Sequence, residues 1–289
     1  DNPIRELCTW LRNDVANNTF TFLNYISTHK SKFDSTMTKG FMVCNSAEFQ
    51  RQVELQFSDE AITKNTDYVK VVAYTNMAVS AWNKFIRETI IKDSEKSVIT
   101  RNDLITSYIT LVNEFKETII RNSEDYIVRD IANYTHPKYD IKGFMVKFQA
   151  VHGGQVTSPL FVLDHRDAYS IKRYCQICNE LIEQAKNASK QVRAAKWKKY
   201  FEFRESCLIL INFVKNDGTV LHYRNLDYGF SVTAHQSQGS TYNVSMVDIN
   251  DIVYDKNGHP YNNAKDINRR LYVAVSRAKE KVILRYGWS

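Results

Sequence analysis

Val69-Lys70-Val71-Val72-Ala73-Tyr74-Thr75-Asn76 sets the class of fold. Val69 to Tyr74 is a short, mostly apolar run rich in β-branched residues, which pack well on a pleated surface. Thr75-Asn76 stops it with a polar turn. Ala78, Trp82, Phe85, Ile86 and Ile90 then recur at the spacing of one helix face. Strand, polar turn and amphipathic helix in that order predict an α/β domain with parallel strands.

Working outward, the N-terminus reads as a helix. Asp1 or Asn2 is placed to cap it, Pro3 suits the first turn, and Ile4, Leu7, Cys8, Leu11 and Val15 share a face. Phe41-Met42-Val43-Cys44 predicts a buried strand, and residues 46–55 a helix. From about residue 100 the texture changes to short β-like runs at 104–112, 126–131, 143–151 and 160–164, which suit a small barrel or a meander. Residues 168–205 are helical in period throughout and predict a helical arm at about 166–206. The α/β texture returns near residue 226. Phe230-Ser231-Val232-Thr233-Ala234 and residues 244–249 read as strands, Asp266 as the cap of a helix running to about Ala278, and residues 281–286 as a last strand. The predicted organisation is one α/β domain, 1–99 and 226–289, interrupted by a β-rich insertion at 100–225.

Composition narrows the function classes. The chain has 289 residues, 43% of them hydrophobic, which suits a globular protein with a real core. No apolar run reaches the length of a membrane span, and the first residues lack the layout of a signal peptide. Asp1 stands where an initiator Met is expected, so the reading is of a fragment of a longer protein. Five cysteines are too few and too odd in number for a disulfide scaffold, which points to a reducing, cytoplasmic setting. The net charge of +7 is compatible with a nucleic-acid partner without requiring one. None of the nine glycines starts the G-x-x-x-x-G-K-S/T spacing whose backbone amides wrap a phosphate, and G-x-G-x-x-G is also absent. The chain has no P-loop of its own.

Two segments carry chemistry. Thr233-Ala234-His235-Gln236-Ser237-Gln238-Gly239-Ser240-Thr241 follows a predicted strand directly. Its small and amide side chains exchange hydrogen bonds readily, and Gly239 admits close backbone approach, a surface suited to phosphate oxygens. A plain polar loop would have the same composition. In Arg269-Arg270-Leu271-Tyr272-Val273-Ala274-Val275-Ser276-Arg277-Ala278, Leu271, Val275 and Ala278 share one helix face. Arg270 and Arg277 share another, about 10 Å apart at a rise of ~1.5 Å per residue. A guanidinium suits phosphate oxygens, and an arginine offered to a transferring phosphoryl group stabilises its charge. A single solvated Arg at a helix end is the plain alternative.

Taken together, T-x-H-x-x-Q-G-S followed by L-Y-V-A-V-S-R-A resembles motifs V and VI of superfamily 1 helicases, most closely the RecD-like and Dda-like branch. Val72-Ala73-Tyr74-Thr75-Asn76-Met77-Ala78-Val79, with Asn83 and Arg87, resembles the motif IV region. Asp1-Asn2-Pro3-Ile4, with Leu7 and Leu11-Arg12, resembles the segment after motif III. The insertion sits where that branch carries an SH3-like domain. The resemblance implies the second RecA-like motor domain, a P-loop-NTPase-type fold without its P-loop, of an ATP-dependent DNA helicase moving 5′ to 3′ on single-stranded DNA.

It also implies roles. Arg277 would be the arginine finger, Gln238 and Gly239 would link the nucleotide cleft to the DNA path, and Tyr74, Thr75, Asn76, Thr233, His235 and Ser240 would face DNA. Thr241 stands where relatives often place a ribose-binding Glu. Motifs I, Ia, II and III are missing, so ATP and Mg²⁺ would be held mainly by an absent N-terminal RecA-like domain, and this chain alone would be inactive. The implied setting is a bacterial or phage-type cytoplasm. A different class of function compatible with the same residues is a non-catalytic nucleic-acid-binding subunit of a recombination nuclease complex, exodeoxyribonuclease V-like.

Other features carry less. Between Gln184 and Arg204 stand Lys186, Lys190, Arg193, Lys196, Lys198, Lys199 and Arg204, interleaved with Trp197, Tyr200, Phe201 and Phe203 and with Glu202 as the sole acid. Lys196, Lys198 and Lys199 are candidates to track a phosphate backbone while rings stack on bases. The same residues suit an arm with its own packing face and solvated lysines. Cys175-Gln176-Ile177-Cys178 is a lone C-x-x-C without a second pair, so no metal site is expected. Ser58-Asp59-Glu60 follows a stretch too polar for a Walker B strand.

Overall fold

The structure, a computed structural model, describes residues 2–58, 65 and 67–287. The chain begins with helices α1 (Pro3–Asn17) and α2 (Thr21–Thr28), strands β1 (Ser31–Phe33) and β2 (Gly40–Cys44), helix α3 (Ser46–Phe57), strand β3 (Val69–Ala73) and helix α4 (Asn76–Ile90). There follow strands β4 (Leu104–Ser107), β5 (Leu111–Val112), β6 (Thr118–Ile120), β7 (Asp125–His136), β8 (Ile141–Ala150) and β9 (Leu160–Leu163). Helices α5 (Ala168–Lys186) and α6 (Lys190–Ser206) precede strands β10 (Phe213–Val214), β11 (Val220–His222), β12 (Leu226–Tyr228), β13 (Ser231–Thr233) and β14 (Tyr242–Asp248). Helices α7 (Ile249–Val253) and α8 (Ala264–Ser276) and strand β15 (Ala278–Arg285) complete the chain.

These elements form two compact units, residues 1–92 with 230–289, and residues 93–229. The first is built on a six-stranded sheet in the order β1-β2-β15-β14-β3-β13. All of its pairings are parallel except that of edge strand β1 with β2. Every residue of Val69–Ala73 is buried, as a parallel strand covered on both faces requires. Val72, Val247, Val282 and Leu284 point into a core with α1, α2 and α8. The alternate residues Val69, Val71, Met246 and Ile283 are buried toward the opposite face, where α3 and α4 pack on the sheet.

Local chemistry explains the element ends. The Asn2 side chain accepts from the Ile4 amide and caps α1, while Asp1 lies outside the described residues. The Thr75 side chain caps α4 through the Ala78 amide. The cap of α8 is Asn263, not Asp266: Asn263 Oδ1 accepts from the Asp266 amide, and Asn263 Nδ2 donates to the Asp266 carboxylate. Asp266 instead sits in the first turn, where a negative charge favours the helix dipole. That helix ends at Ser276, and Ala278 already begins a strand. Asn83, buried in α4, accepts from the Ser231 amide at 2.7 Å and so holds edge strand β13 to the helix. Of the acidic stretch 58–60, Asp59 and Glu60 lie outside the described residues.

The second unit holds a five-stranded antiparallel sheet in the order β12-β4-β7-β8-β9. β7, β8 and β9 form a meander; β7 is twelve residues long and reaches past the run expected at 126–131. The helical arm expected at about 166–206 consists of two helices: Asn187 caps α5 and the chain turns before Lys190. The helical period survives the break because both halves bury a face in one core, Tyr174, Ile177 and Cys178 meeting Phe203 and Cys207. Burial among these residues pushes the Cys178 thiol up to about 12. No helix among the described residues is long and apolar enough to cross a membrane.

His222 joins that core, its ring edge-on to Tyr174 with centroids 5.7 Å apart. Burial, helped by the Arg204 guanidinium, lowers its pKa to about 4, against about 6.5 in an unfolded chain. Between those values the unfolded chain binds the proton and the folded one does not, so stability falls as pH falls through that window. His222→Phe should flatten this part of the pH dependence in denaturant unfolding followed between pH 7 and pH 4. An unchanged slope would assign the acid sensitivity to other groups.

Candidate functional site

Parallel strands put their following loops on one edge of a sheet. Thr233 is level with Ala73 across the β13–β3 ladder, and Val72 is level with Val247 across the β3–β14 ladder. The segments after β3, β13 and β14 therefore all leave from the carboxyl edge. Tyr242 pairs with Ala278 at the start of β14 and β15, which is the amino edge.

At the carboxyl edge, the turn between β3 and α4 is braced by one carboxylate. Asp251 Oδ2 accepts from the Tyr74 and Thr75 amides at 2.7 and 2.8 Å, and Asp251 Oδ1 accepts from the Thr75 hydroxyl at 2.7 Å. Asn76 is exposed at the first position of α4. Tyr74 is half-buried; its ring carries the Arg270 guanidinium 3.6 Å from its centroid and meets Tyr261 edge-on at 5.2 Å. Asp248, at the end of β14, accepts from Trp82 Nε1 and from Arg285, whose guanidinium also reaches Ser46. Burial pushes the Asp248 carboxyl up, opposed by Arg285 and Trp82. Thr75, Trp82, Phe85, Asp251, Tyr261 and Arg285 help line a cavity of about 700 Å³ at this edge.

The segment 234–241 runs from the carboxyl edge to the amino edge, between β13 and β14. Its first turn is tied internally: the Gln236 amide donates to Thr233 Oγ1, and the Ser237 hydroxyl, fully buried, donates to the Ala234 carbonyl. Thr233 thus spends its hydroxyl on shaping the loop, with Gln236 Oε1 as its acceptor. His235 and Gln238 project into solvent. Gly239 adopts φ +87°, the left-handed region that favours glycine, although the space around its missing Cβ is open.

At the amino edge this loop meets Arg277. The Tyr242 amide donates to the Arg277 carbonyl, and Arg277 Nη1 donates to the Ser240 carbonyl at 3.3 Å. Arg277 Nε donates to Val273 O and Nη2 to Ser276 Oγ. Arg277 therefore lies folded over the end of its own helix on neutral acceptors. It is half-buried beside Cys8 of α1, whose thiol is pushed up by burial and pulled down by the Arg12 and Arg277 charges.

The structure thus brings the sequence-predicted residues into two groups. Tyr74, Thr75, Asn76, Thr233 and His235 stand at the carboxyl edge, and Ser240 and Arg277 at the amino edge, with Gln238 and Gly239 just before them in the loop. Lys196, Lys198 and Lys199 are in the other compact unit, on α6, where Lys198 pairs with Glu202 at 3.7 Å and Phe201 is 55% exposed. Among the described residues no three His, Cys, Asp or Glu side chains are gathered as they would be to hold a metal ion. Sequence reasoning missed Asp251, Arg270 as the partner of Tyr74, and the Asp248–Arg285 pair. The available signal was two carboxylates, Asp248 and Asp251, directly after an apolar strand.

No family model matches the chain. An uncharacterized protein of Acanthamoeba polyphaga mimivirus is 22% identical over 286 residues, covering 98% of this chain and 48% of that protein. Among solved structures, the Pif1 helicase from Candida albicans overlaps 82% of this chain at 14% identity and a TM-score of 0.40, using 49% of its own chain. The Pif1 helicase from Bacteroides in complex with ADP-AlF3 and single-stranded DNA overlaps 85% at 11% identity and a TM-score of 0.37, using 46% of its chain. The chain therefore spans about half the length of the relatives it matches.

Asp251→Ala should leave the Tyr74 and Thr75 amides without their acceptor, an unsatisfied-group cost of about 1–3 kcal/mol. Hydrogen exchange at those two amides should accelerate, while the β3 amides of Val71 and Val72 stay protected. Unchanged exchange at Tyr74 and Thr75 would remove Asp251 as the brace.

Proposed function

We propose that this chain is the second RecA-like motor domain of an ATP-dependent superfamily 1 DNA helicase of the RecD-like and Dda-like branch, with the unit 93–229 as its SH3-like insertion. The reading rests on the residues of motifs IV, V and VI. The single observation that carries it is their placement: the motif V segment starts beside Tyr74 and Thr75 at one sheet edge and ends on Arg277 at the other. A loop so attached can relay a change at a nucleotide to a strand of DNA.

In this reading ATP and Mg²⁺ are held by an N-terminal RecA-like domain that carries the P-loop this chain lacks. Arg277 is the finger. Its donors now rest on backbone carbonyls and a serine hydroxyl, and a charged phosphate oxygen is a stronger acceptor than these. When the two domains close on ATP, Arg277 turns to the γ-phosphate and releases the Ser240 carbonyl. The loop bearing Gln238 and Gly239 is then free to shift, and His235 and Thr233 move relative to Tyr74, Thr75 and Asn76 on single-stranded DNA. Lys196, Lys198 and Lys199, beside the exposed Phe201, supply a second grip on the DNA backbone. Movement 5′ to 3′ and a cytoplasmic, bacterial or phage-type setting belong to the same proposal.

The test is DNA-stimulated ATP hydrolysis by a polypeptide in which a P-loop-bearing RecA-like domain precedes this chain. Arg277→Ala should lower kcat by about 10³-fold or more with little change in ATP affinity. Arg277→Lys should not restore it, because an ammonium lacks the fork of donors. Turnover unaffected by Arg277→Ala would sink the finger assignment. Neutralising Lys196, Lys198 and Lys199 together should flatten the salt dependence of single-strand binding, by ~0.7 in log–log slope for each phosphate that these lysines neutralise.

A further inference from the structure

Several arginines of the first unit spend their donors on acceptors within the fold. Arg285 meets Asp248 and Ser46, Arg277 three oxygens around its helix end, and Arg12 the Tyr272 hydroxyl. Arg270 differs. Its guanidinium carbon sits over the Tyr74 ring, 3.6 Å from the centroid and 6.0 Å from that of Tyr261, and among the described residues no acceptor takes its N–H groups. A stack of this kind fixes the plane of the guanidinium without consuming its in-plane donors. Its platform is fixed in turn, because Asp251 pins the Tyr74 and Thr75 backbone. The oxygens of that carboxylate already accept three hydrogen bonds from the turn. The result is a half-buried, pre-oriented cation with a fork of unsatisfied donors at the carboxyl edge of the sheet.

We infer that Arg270 binds a backbone phosphate of single-stranded nucleic acid, as the strand passes the turn of Tyr74, Thr75 and Asn76. This rests on the proposed helicase reading and adds to it a phosphate-binding residue that the motif resemblance does not assign. It also changes the part played by Tyr74. One face of that ring is covered by Arg270, so Tyr74 acts on the strand through the arginine it orients. Arg277, the residue that caps the end of α8, lies seven residues after Arg270, a rise of about 10 Å along the helix. Side chains tilt toward a helix N-terminus, which carries Arg270 back to the carboxyl edge, while Arg277 stays at the amino edge. One helix then presents a phosphate-binding arginine to the nucleic acid and another to the nucleotide. It forms a stiff connection between the two edges, beside the loop made by residues 234–241.

The experiment is anisotropy of a fluorescent oligothymidylate titrated with the 289-residue chain across a salt series. Arg270→Ala and Arg270→Gln should each weaken binding several-fold and reduce the log–log salt slope by ~0.7, the value for one single-strand phosphate. Arg270→Lys should restore the slope, since charge sets it, without restoring full affinity. The melting temperature of each variant separates binding from folding, and the glutamine variant keeps most of the packing over Tyr74. If the wild-type chain binds with a salt dependence that Arg270→Ala and Arg270→Gln leave unchanged, this inference fails and the helicase reading stands. Lower affinity with an unchanged slope and a lowered melting temperature would make Arg270 a structural pin on Tyr74, which also overturns the inference. A wild-type chain with no salt-dependent binding would count against the helicase reading itself.

Discussion

Everything in the candidate site hangs on the parallel ladder of β13, β3, β14, β15 and β2. Parallel strands must each return by a crossover, so every turn that follows a strand emerges at one edge and every strand begins at the other. Burial on both faces makes this register rigid, since a slip by one residue would drive the side chains of Val72 and Val247 from one core into the other. That constraint puts Tyr74, Thr75, Thr233 and Asp248 on one edge. It also gives the segment 234–241 a whole sheet to cross before Tyr242 enters β14.

Polar groups then convert this placement into a site. Asp251 and Asn83 are the two main fasteners, one holding the turn before α4 and the other holding strand β13 to α4. Both use their side chains to satisfy backbone amides that the ladder leaves open, which is why each is worth more than a surface hydrogen bond. Arg277 is fastened more weakly, on neutral oxygens, and Arg270 rests on an aromatic face. The stiffness therefore lies in the frame and the exchangeable contacts lie in the two arginines.

The second unit follows a different logic. Its meander and hairpins are built from local antiparallel pairings, and its helices close on one core through Tyr174, Cys178 and Phe203, with His222 of β11 against Tyr174. Most of the aromatic residues that made α6 read as a nucleic-acid face serve packing: Phe203 is in the core, and Trp197, Tyr200 and Phe201 contact one another. Phe201 nevertheless keeps much of its surface beside Lys198, so the basic face is narrower than its composition suggests.

By itself the sequence determined the α/β class of the first unit, the strand Val69–Ala73, the polar turn at Thr75-Asn76 and the helix after it, because these follow from short-range periodicity and from turn-forming side chains. It also marked residues 233–240 and 271–278, whose density of small, amide and cationic groups is unusual beside apolar strands. Where the signal was spread over one element and its neighbour, as in the division of 168–205 into two helices or the cap at Asn263, local pattern was not enough. Only the tertiary structure decided that Asp251 braces Tyr74, that Asn83 holds β13, and that Arg270 stacks on a ring almost two hundred positions away in the chain. Such contacts join residues with no sequence relation, and they exist because the crossovers of a parallel sheet return distant segments to the same edge.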